Sequence, residues 1–265
     1  DATVTLSDNP SISAFNAIAA KTTGLVTVTA DSIVVDDVVT AAEAAAILDS
    51  TNASIVKFSG GITDTFTNLV AADRGAVSAN MAKIDAKDPN VNVTVVGTLA
   101  NVTSANVTDL NALLAATTGT VTATIDGNVA QLKNVTSNAS SAATNALTIV
   151  GDDVATAAEG AAIAASTNVG TVDFSAAGVS DTFANLIAAG TGAVSANIAK
   201  IDAKDANVNV TVSDMLANVT QQQVSELNAL LEATTGTVTA TIDGNVAQLK
   251  NITSNASSAA TNALT

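Results

Sequence analysis

Residues 117–148 read TTGTVTATIDGNVAQLKNVTSNASSAATNALT, and residues 234–265 repeat this stretch with a single valine-to-isoleucine change. The two copies lie 117 residues apart. The same offset relates VSANMAKIDAKDPNVNVTV at 77–95 to VSANIAKIDAKDANVNVTV at 194–212. Self-similarity at a fixed period is typical of repeat architectures, in which each unit buries its apolar face against its neighbours.

Shorter patterns within each long repeat predict strands and helices in alternation. The run Thr120–Ile125 alternates threonine with apolar residues, which is typical of a strand with one buried face. Val107, Leu110 and Leu114 recur at helical spacing. We therefore predict an α/β fold, a repetitive αβ-solenoid of about 11 coils with a parallel β-sheet on one side and short helices or loops on the other. A parallel β-helix is the alternative.

The predicted domain organisation is a single solenoid over residues 1–265. Its long repeats span approximately 31–147 and 148–264, and a partial coil spans 1–30. Each coil would bury its apolar residues only against the adjacent coils.

Helix ends can be placed from capping and glycine signals. Glycines follow two predicted helices at Gly119 and Gly236, where we expect the left-handed backbone conformation that glycine adopts most readily. A Thr or Ser followed three residues later by Glu or Gln predicts a capping box. This pattern pairs Thr40 with Glu43, Thr156 with Glu159, and Thr220 with Gln223.

Composition limits the classes of function. The chain has 48% hydrophobic but only 2% aromatic residues, so its core must consist of Val, Ile, Leu and Ala. No apolar run approaches the roughly 18 residues that cross a bilayer, so we expect no membrane span. The formal net charge of −15 would repel phosphate backbones, so we expect no nucleic-acid partner. The absence of Cys removes disulfides, thiolate zinc sites and thiol nucleophiles.

We expect no enzymatic activity. Without His or Cys, acid–base chemistry would fall to Asp, Glu or Lys. Ser54 and Lys57 match an S-x-x-K spacing, but the second repeat has Asp173 in place of the lysine. No phosphate-binding loop, nucleotide fingerprint or metalloprotease motif is found in the sequence.

Acidic clusters are the only candidates for binding a cofactor, and calcium is the one candidate ion because it prefers several oxygen ligands. The alternative is that these residues serve turns and helix starts. The candidate ligands are Asp31, Asp36, Asp37, Asp152 and Asp153. A second charged group, Lys83, Asp85, Lys87 and Asp88 with its copy Lys200, Asp202, Lys204 and Asp205, is interpreted as solvated surface charge with weak pairing.

Threonines on the predicted strands would form an outward face. If Val93, Val121 and Ile125 point inward, the intervening threonines point outward and stack about 4.8 Å apart on adjacent parallel strands. Such a face could contact a neighbouring filament, a surface polysaccharide or ice. Its members are Thr27, Thr29, Thr122, Thr124, Thr239 and Thr241.

Both predicted ends of the solenoid lack polar caps, which favours head-to-tail self-association into filaments. The predicted assembly ends are Thr3, Val4, Thr5 and Leu6 at one end, and Ala263, Leu264 and Thr265 at the other.

The stretch LNALLAATTGTVTATIDGNVAQLKN at 110–134 and its copy at 227–251 resemble the Ala/Thr-rich repeats of very large extracellular proteins of cyanobacteria and other Gram-negative bacteria. Those are adhesin-like, matrix or surface-layer proteins, so the resemblance implies secretion to the cell surface and a structural role. The GGxGxD nonapeptide of some such proteins is missing here, so calcium binding is not implied. The sequence favours an extracellular structural repeat protein that forms a filament, stalk or surface-layer segment. An adhesin or a carbohydrate- or ice-binding module is the alternative.

Overall fold

The computed structural model describes residues 4–6, 14, 17–18, 20–23, 26–28, 32–50, 55–136, 146–151, 153–166, 170–174, 177–253 and 263–264. The chain forms two compact units. Unit 1 comprises Asp1–Thr124 and Thr136–Leu147, and unit 2 comprises Ile125–Val135 and Thr148–Thr265.

The part of unit 1 that the structure describes combines helices with short strands. Strands β1 and β2, β3 and β4, and β5 and β8 pair in parallel; β9 lies beside β8, whereas β6 and β7 are antiparallel. Its elements are β1 (Val4–Leu6), β2 (Val26–Val28), β3 (Ser32–Val35), α1 (Ala41–Ser50), β4 (Ile55–Phe58), β5 (Ile62–Thr65), α2 (Phe66–Leu69), β6 (Val70–Ala71), β7 (Ala76–Val77), α3 (Ala79–Asp85), β8 (Val93–Leu99), α4 (Ser104–Ala116) and the first part of β9 (Val121–Gly127).

Unit 2 repeats most of this order. Strands β10 and β11, and the series β12, β15, β16 and β17, pair in parallel, whereas β13 and β14 are antiparallel. After the end of β9 come α5 (Val129–Leu132), β10 (Ala146–Gly151, which begins in unit 1), α6 (Ala157–Ser166), β11 (Val172–Asp173), β12 (Val179–Asp181), α7 (Phe183–Leu186), β13 (Ile187–Ala188), β14 (Ala193–Val194), α8 (Ala196–Asp202), β15 (Val210–Val212), α9 (Gln221–Ala233), β16 (Val238–Ala240), α10 (Val246–Leu249) and β17 (Ala263–Leu264).

The predicted αβ-solenoid and its alternative, the parallel β-helix, are wrong. A solenoid needs one parallel sheet to which every coil adds a strand, whereas the described strands of each unit are divided among several small sheets. The antiparallel pairs β6–β7 and β13–β14 arise because tight turns reverse the chain. Asp73 and Gly75 have φ of 59° and 60° in the first turn, and Gly190 and Gly192 have φ of 78° and 67° in the second. Such a short connection can join only antiparallel strands, since a parallel pair needs a longer crossover. The architecture is mixed α/β.

The local patterns read from the sequence are confirmed. Val93, Val121 and Ile125 are fully buried, while Thr94 and Thr122 are exposed. Val107, Leu110 and Leu114, which the helical spacing places together, are all buried in α4. Their counterparts in the second repeat, Val224, Leu227 and Leu231, are buried in α9.

The three predicted capping boxes are also confirmed. The Thr220 side chain accepts a hydrogen bond from the Gln223 N–H, and the Gln223 side chain accepts one from the Thr220 N–H. The same exchange joins Thr40 with Glu43 and Thr156 with Glu159.

The reason for glycine after the two long helices differs from the prediction. Neither Gly119 nor Gly236 has a positive φ, so the left-handed expectation is wrong. A Cβ atom at Gly119 would lie 2.3 Å from the Val91 carbonyl oxygen, and one at Gly236 would lie 2.3 Å from the Asn207 carbonyl oxygen. Glycine is required because the backbone of the preceding loop approaches closely.

We predict that Gly119→Ala and Gly236→Ala each lower the free energy of unfolding by about 1–3 kcal/mol, because the added methyl group has to displace backbone rather than a side chain. Urea denaturation would measure the change. The exposed Thr122→Ala serves as a control and should stay within about 1 kcal/mol of the parent. Glycine variants as stable as this control would contradict the close approach.

Candidate functional site

Buried carboxylates hold the hairpin turn of each unit. In unit 1, Asp109 on α4 is only 2% exposed and accepts hydrogen bonds from the Asp73 N–H at 2.8 Å and the Gly75 N–H at 2.7 Å. In unit 2, Glu226 on α9 accepts a hydrogen bond from the Gly190 N–H at 2.6 Å. The longer Glu side chain also accepts one from the Gln222 Nε2 at 3.0 Å. These carboxylates therefore bind the hairpin backbone of their own unit.

A second pair of carboxylates fixes the start of the Ala-rich helices. Asp64 accepts a hydrogen bond from the Ala41 N–H at 3.1 Å, and Asp181 accepts one from the Ala157 N–H at 3.0 Å. Burial of Asp181 acts against its charge, but hydrogen bonds from Asn185, from the Thr182 N–H and from the Ala157 N–H outweigh it and lower the pKa of this carboxyl. Both side chains therefore fix the backbone at the start of an Ala-rich helix, and Asp181 is held as a carboxylate by the groups that it organises.

A third pair corrects the interpretation of the Lys/Asp group as solvated surface charge. Asp88 is 8% exposed and accepts a hydrogen bond from the Phe58 N–H at 2.7 Å, and Asp205 is 4% exposed and accepts one from the Phe174 N–H at 2.6 Å. Both carboxylates tie the loop after a helix to the preceding strand or its end. Only part of the group behaves as predicted, for example Lys83, which forms an exposed ion pair with Asp49 at 2.8 Å.

The two copies of this third site differ in charge. In unit 1 the strand residue before Phe58 is Lys57, whereas in unit 2 the residue before Phe174 is Asp173. Burial raises the pKa of Asp205; the Phe174 N–H hydrogen bond opposes this effect, and the negative charge of Asp173 adds to it. Unit 2 thus holds a buried carboxylate beside a second acidic residue.

The unit 1 copy also lines a shallow cleft of about 180 Å³. Lys57, Asn90 and Asn92 lie at its exposed side, and the Asn92 side-chain oxygen accepts a hydrogen bond from the Thr120 N–H at 2.9 Å. Phe58 and Asp88 lie at its buried side. The cleft offers an ammonium group, amides and a carboxylate within a small volume. This combination of groups suits a polar, hydroxyl-bearing ligand.

The candidate calcium ligands are only partly described. Asp31 and Asp152 lie outside the described residues. Asp36 is exposed and accepts a hydrogen bond from the Ser59 hydroxyl, Asp37 is exposed, and Asp153 accepts one from the Val129 N–H at 2.5 Å. Within the described part of the chain, no group of three or more His, Cys, Asp or Glu side chains could hold a metal ion. The calcium site stays a prediction.

Several threonines lie in register on neighbouring strands, and the threonine face stays a prediction. Thr5 lies opposite Thr27, Thr63 opposite Thr94, and Thr211 opposite Thr239. Among the predicted members, Thr122, Thr239 and Thr241 are exposed, Thr124 is half-buried, and Thr29 lies outside the described residues.

The predicted assembly ends lie on strands at the edges of their sheets. Val4, Thr5 and Leu6 form β1, which pairs with β2, and Ala263 and Leu264 form β17, which pairs with β16 at one end of the series β12–β15–β16–β17. Thr3 and Thr265 lie outside the described residues. None of the described helices combines the length and apolar character needed to cross a membrane.

Sequence reasoning missed the buried carboxylates, although one signal for them was present. Asp109 lies four residues before Leu113 on α4, and Glu226 lies four residues before Leu230 on α9, so each acidic residue shares a helix face with a buried leucine. Asp88 and Asp205 lie in the short segments AKDPN and AKDAN, which have no apolar periodicity, so no comparable signal exists for them.

Comparison with known proteins identifies no relative. No protein-family model, no curated protein and no solved structure matches the chain.

We predict that Asp173→Asn raises the melting temperature at pH 7 and that this gain shrinks as the pH falls. The folded-state pKa of Asp205 is raised above its unfolded value of about 3.9, so its protonated form stabilises the fold below that pH and this stability is lost as the pH rises through the folded pKa. Removing the charge of Asp173 reduces that loss.

The matched control is Asp243→Asn, which changes the net charge equally at an exposed position in the same unit. Thermal unfolding between pH 3 and pH 7 would separate the two variants. Equal shifts in both variants, or a gain from Asp173→Asn that persists at pH 3, would refute a penalty centred on Asp205.

Proposed function

We propose that this chain is a structural repeat segment of an extracellular or cell-surface protein and that it associates with copies of itself in a filament, stalk or surface layer. The observation that carries the proposal is the duplication of a structural device. The carboxylates that accept backbone hydrogen bonds in unit 1 recur in unit 2 at equivalent positions. The hairpin turn, for example, is bound by Asp109 in unit 1 and by Glu226 in unit 2.

Duplication of this kind favours a scaffold over a reaction centre. Ser78 and Ser195 are the N-cap residues of α3 and α8. Their hydroxyls accept equivalent hydrogen bonds at 3.3 Å from the Met81 N–H and the Ile198 N–H. Each unit therefore builds the same local geometry. Repeated local geometry suits a structural segment, whereas a single reaction centre gains nothing from a second copy of its supports.

The buried acidic groups also support a structural role. Asp64, Asp88, Asp109, Asp205 and Glu226 are each less than 9% exposed, and each accepts at least one hydrogen bond from a backbone N–H group. The backbone N–H donors occupy oxygens of these side chains, so the carboxylates hold parts of the fold together rather than facing a substrate. The chain also has no His or Cys. These observations support a protein without enzymatic activity.

The extracellular assignment rests on composition and on the resemblance to bacterial surface repeats. The chain is acidic, lacks Cys and is rich in Ala, Thr and Asn. The repeats that it resembles are likewise rich in Ala and Thr. Its net charge of −15 also favours protein or polysaccharide partners over nucleic acid.

Immunogold electron microscopy of the producing cells tests this function. We expect antibodies against the purified chain to label intact, unpermeabilised cells and to decorate fibres or a layer outside the cell envelope. An antibody against a cytoplasmic protein is the control for cell integrity. Labelling that appears only after permeabilisation would contradict the proposal.

Polysaccharide binding is a second candidate, favoured by the unit 1 cleft with Lys57, Asn90 and Asn92. Amide groups and an ammonium group can hydrogen-bond to sugar hydroxyls, and the small volume suits a single sugar residue of a chain. The equivalent site of unit 2 carries Asp173 instead of the lysine, so we assign this binding to unit 1 alone.

We predict that Lys57→Asp, which gives the unit 1 cleft the charge pattern of unit 2, abolishes binding on a glycan array. Asn90→Ala should weaken binding, whereas Asn207→Ala at the equivalent position of unit 2 should leave it unchanged. Equal losses from Asn90→Ala and Asn207→Ala would exclude the unit 1 cleft as the site.

A further inference from the structure

Helices α5 and α10 have the same sequence and the same local structure but differ in burial. Both lie within NVAQLKN, at 128–134 and at 245–251, and both are preceded by an Asn whose side chain accepts a hydrogen bond from the N–H three residues later at 3.2 Å. Yet Val129 of α5 is 3% exposed, whereas Val246 of α10 is 80% exposed. The difference must therefore come from what packs against each helix.

The cover of α5 is the segment that begins at Asp153 and continues into α6, all within unit 2. Helix α5 packs against α6. The Asp153 Oδ1 accepts a hydrogen bond from the Val129 N–H, and the Lys133 Nζ lies 3.2 Å from the Glu159 Oε1. Leu132 is fully buried in this arrangement, whereas its equivalent Leu249 on α10 is only half-buried.

The chain contains a second copy of this cover in unit 1. Residues 36–45 read DDVVTAAEAA and residues 152–161 read DDVATAAEGA, so Asp37 stands where unit 2 has Asp153, and Glu43 where it has Glu159. Glu43 forms a capping box with Thr40, and Glu159 forms the equivalent one with Thr156. In each, the Glu Oε2 accepts a hydrogen bond from the Thr hydroxyl at 2.9 Å. The two segments thus present their glutamates from the same backbone geometry.

Glu43 and Lys250 are exposed, and neither takes part in the two ion pairs found in the described part of the chain. Lys250 occupies the position of Lys133. One chain therefore carries both halves of a contact that it already forms once internally, between α5 and α6.

We propose that the surface formed by Val246, Leu249 and Lys250, which we name the α10 face, binds residues 36–45 of a second copy of this chain, with Lys250 beside the second copy's Glu43. This inference rests on the proposed self-association and names its contact. Val246 is the most exposed large apolar side chain among the described residues, and burying it supplies the apolar part of the contact. The contact joins unlike surfaces, so it adds copies head to tail.

Sedimentation velocity over a range of concentrations tests the contact, in about 0.15 M salt, where the Debye length is about 8 Å and general repulsion between acidic copies is reduced. We expect Val246→Asp to lower the association constant by about tenfold or more, because it would bury an unpaired carboxylate. Met215→Asp is the matched control, since Met215 is 59% exposed in the same unit but lies outside the α10 face. It should leave association unchanged.

A charge exchange tests the pairing itself. Glu43→Lys or Lys250→Glu should each weaken association about two- to fivefold, since each places like charges together. An equimolar mixture of the two variants should associate more strongly than either alone, because the α10 face of Lys250→Glu then meets the lysine at position 43 of the other variant. All of these positions are exposed, and circular dichroism would verify that each variant is folded.

The outcomes separate this contact from the proposed function. A chain that self-associates equally well with Val246→Asp and with Met215→Asp, a mixture that shows no recovery, or a chain that stays monomeric throughout would overturn the contact. The proposed extracellular role fails on a different result, the lack of label on intact cells.

Discussion

Buried carboxylates that accept backbone hydrogen bonds are the interaction on which the rest of each unit depends. The core is mostly aliphatic, and the expectation that it consists of Val, Ile, Leu and Ala alone is wrong, because Phe58, Phe66, Phe174 and Phe183 are also buried. The chain nevertheless has only 2% aromatic residues and no Cys to join distant segments. Asp109 joins α4 to a turn 34 to 36 residues earlier in the chain, and Glu226 makes the equivalent connection in unit 2. Charge-assisted hydrogen bonds of this kind are about twice as strong as neutral ones. They fix the reversed turns that the aliphatic core alone would leave undefined.

This use of acidic residues changes the meaning of the composition. A net charge of −15 suggests a solvated acidic surface, yet several of the carboxylates are buried structural acceptors. Each must lose hydration on folding, and the loss is offset only where donors surround the oxygens. Asp181 has enough donors for its pKa to fall, whereas Asp205, with Asp173 nearby, does not. The number of donors and the nearby charges at each site therefore decide whether the lost hydration of its carboxylate is offset.

The sequence predicts local structure well and longer-range pairing poorly. Helical spacing and capping boxes located α1, α4, α6 and α9, because those signals act within a few residues. They could not show which strands pair, since alternation specifies only which face of a strand is buried. The positive φ of Asp73 is the clearest example, because an aspartate in the left-handed region leaves no periodic signal. Asp73 helps to form the tight turn between β6 and β7, where the sequence predicts a crossover between parallel strands.

The candidate sites were predictable to the extent that they depend on neighbours in sequence. Exposed threonines followed from alternation, but the burial of Asp88 depends on the Phe58 N–H, 30 residues away. The cleft beside Lys57 likewise combines two distant segments. Helices α5 and α10 make the same point within one chain, since identical residues form identical turns and still differ in burial. Local sequence determines the element, and its neighbours determine whether that element is core or surface. A repeated sequence therefore does not ensure repeated packing, which is why a periodic chain need not form a continuous stack.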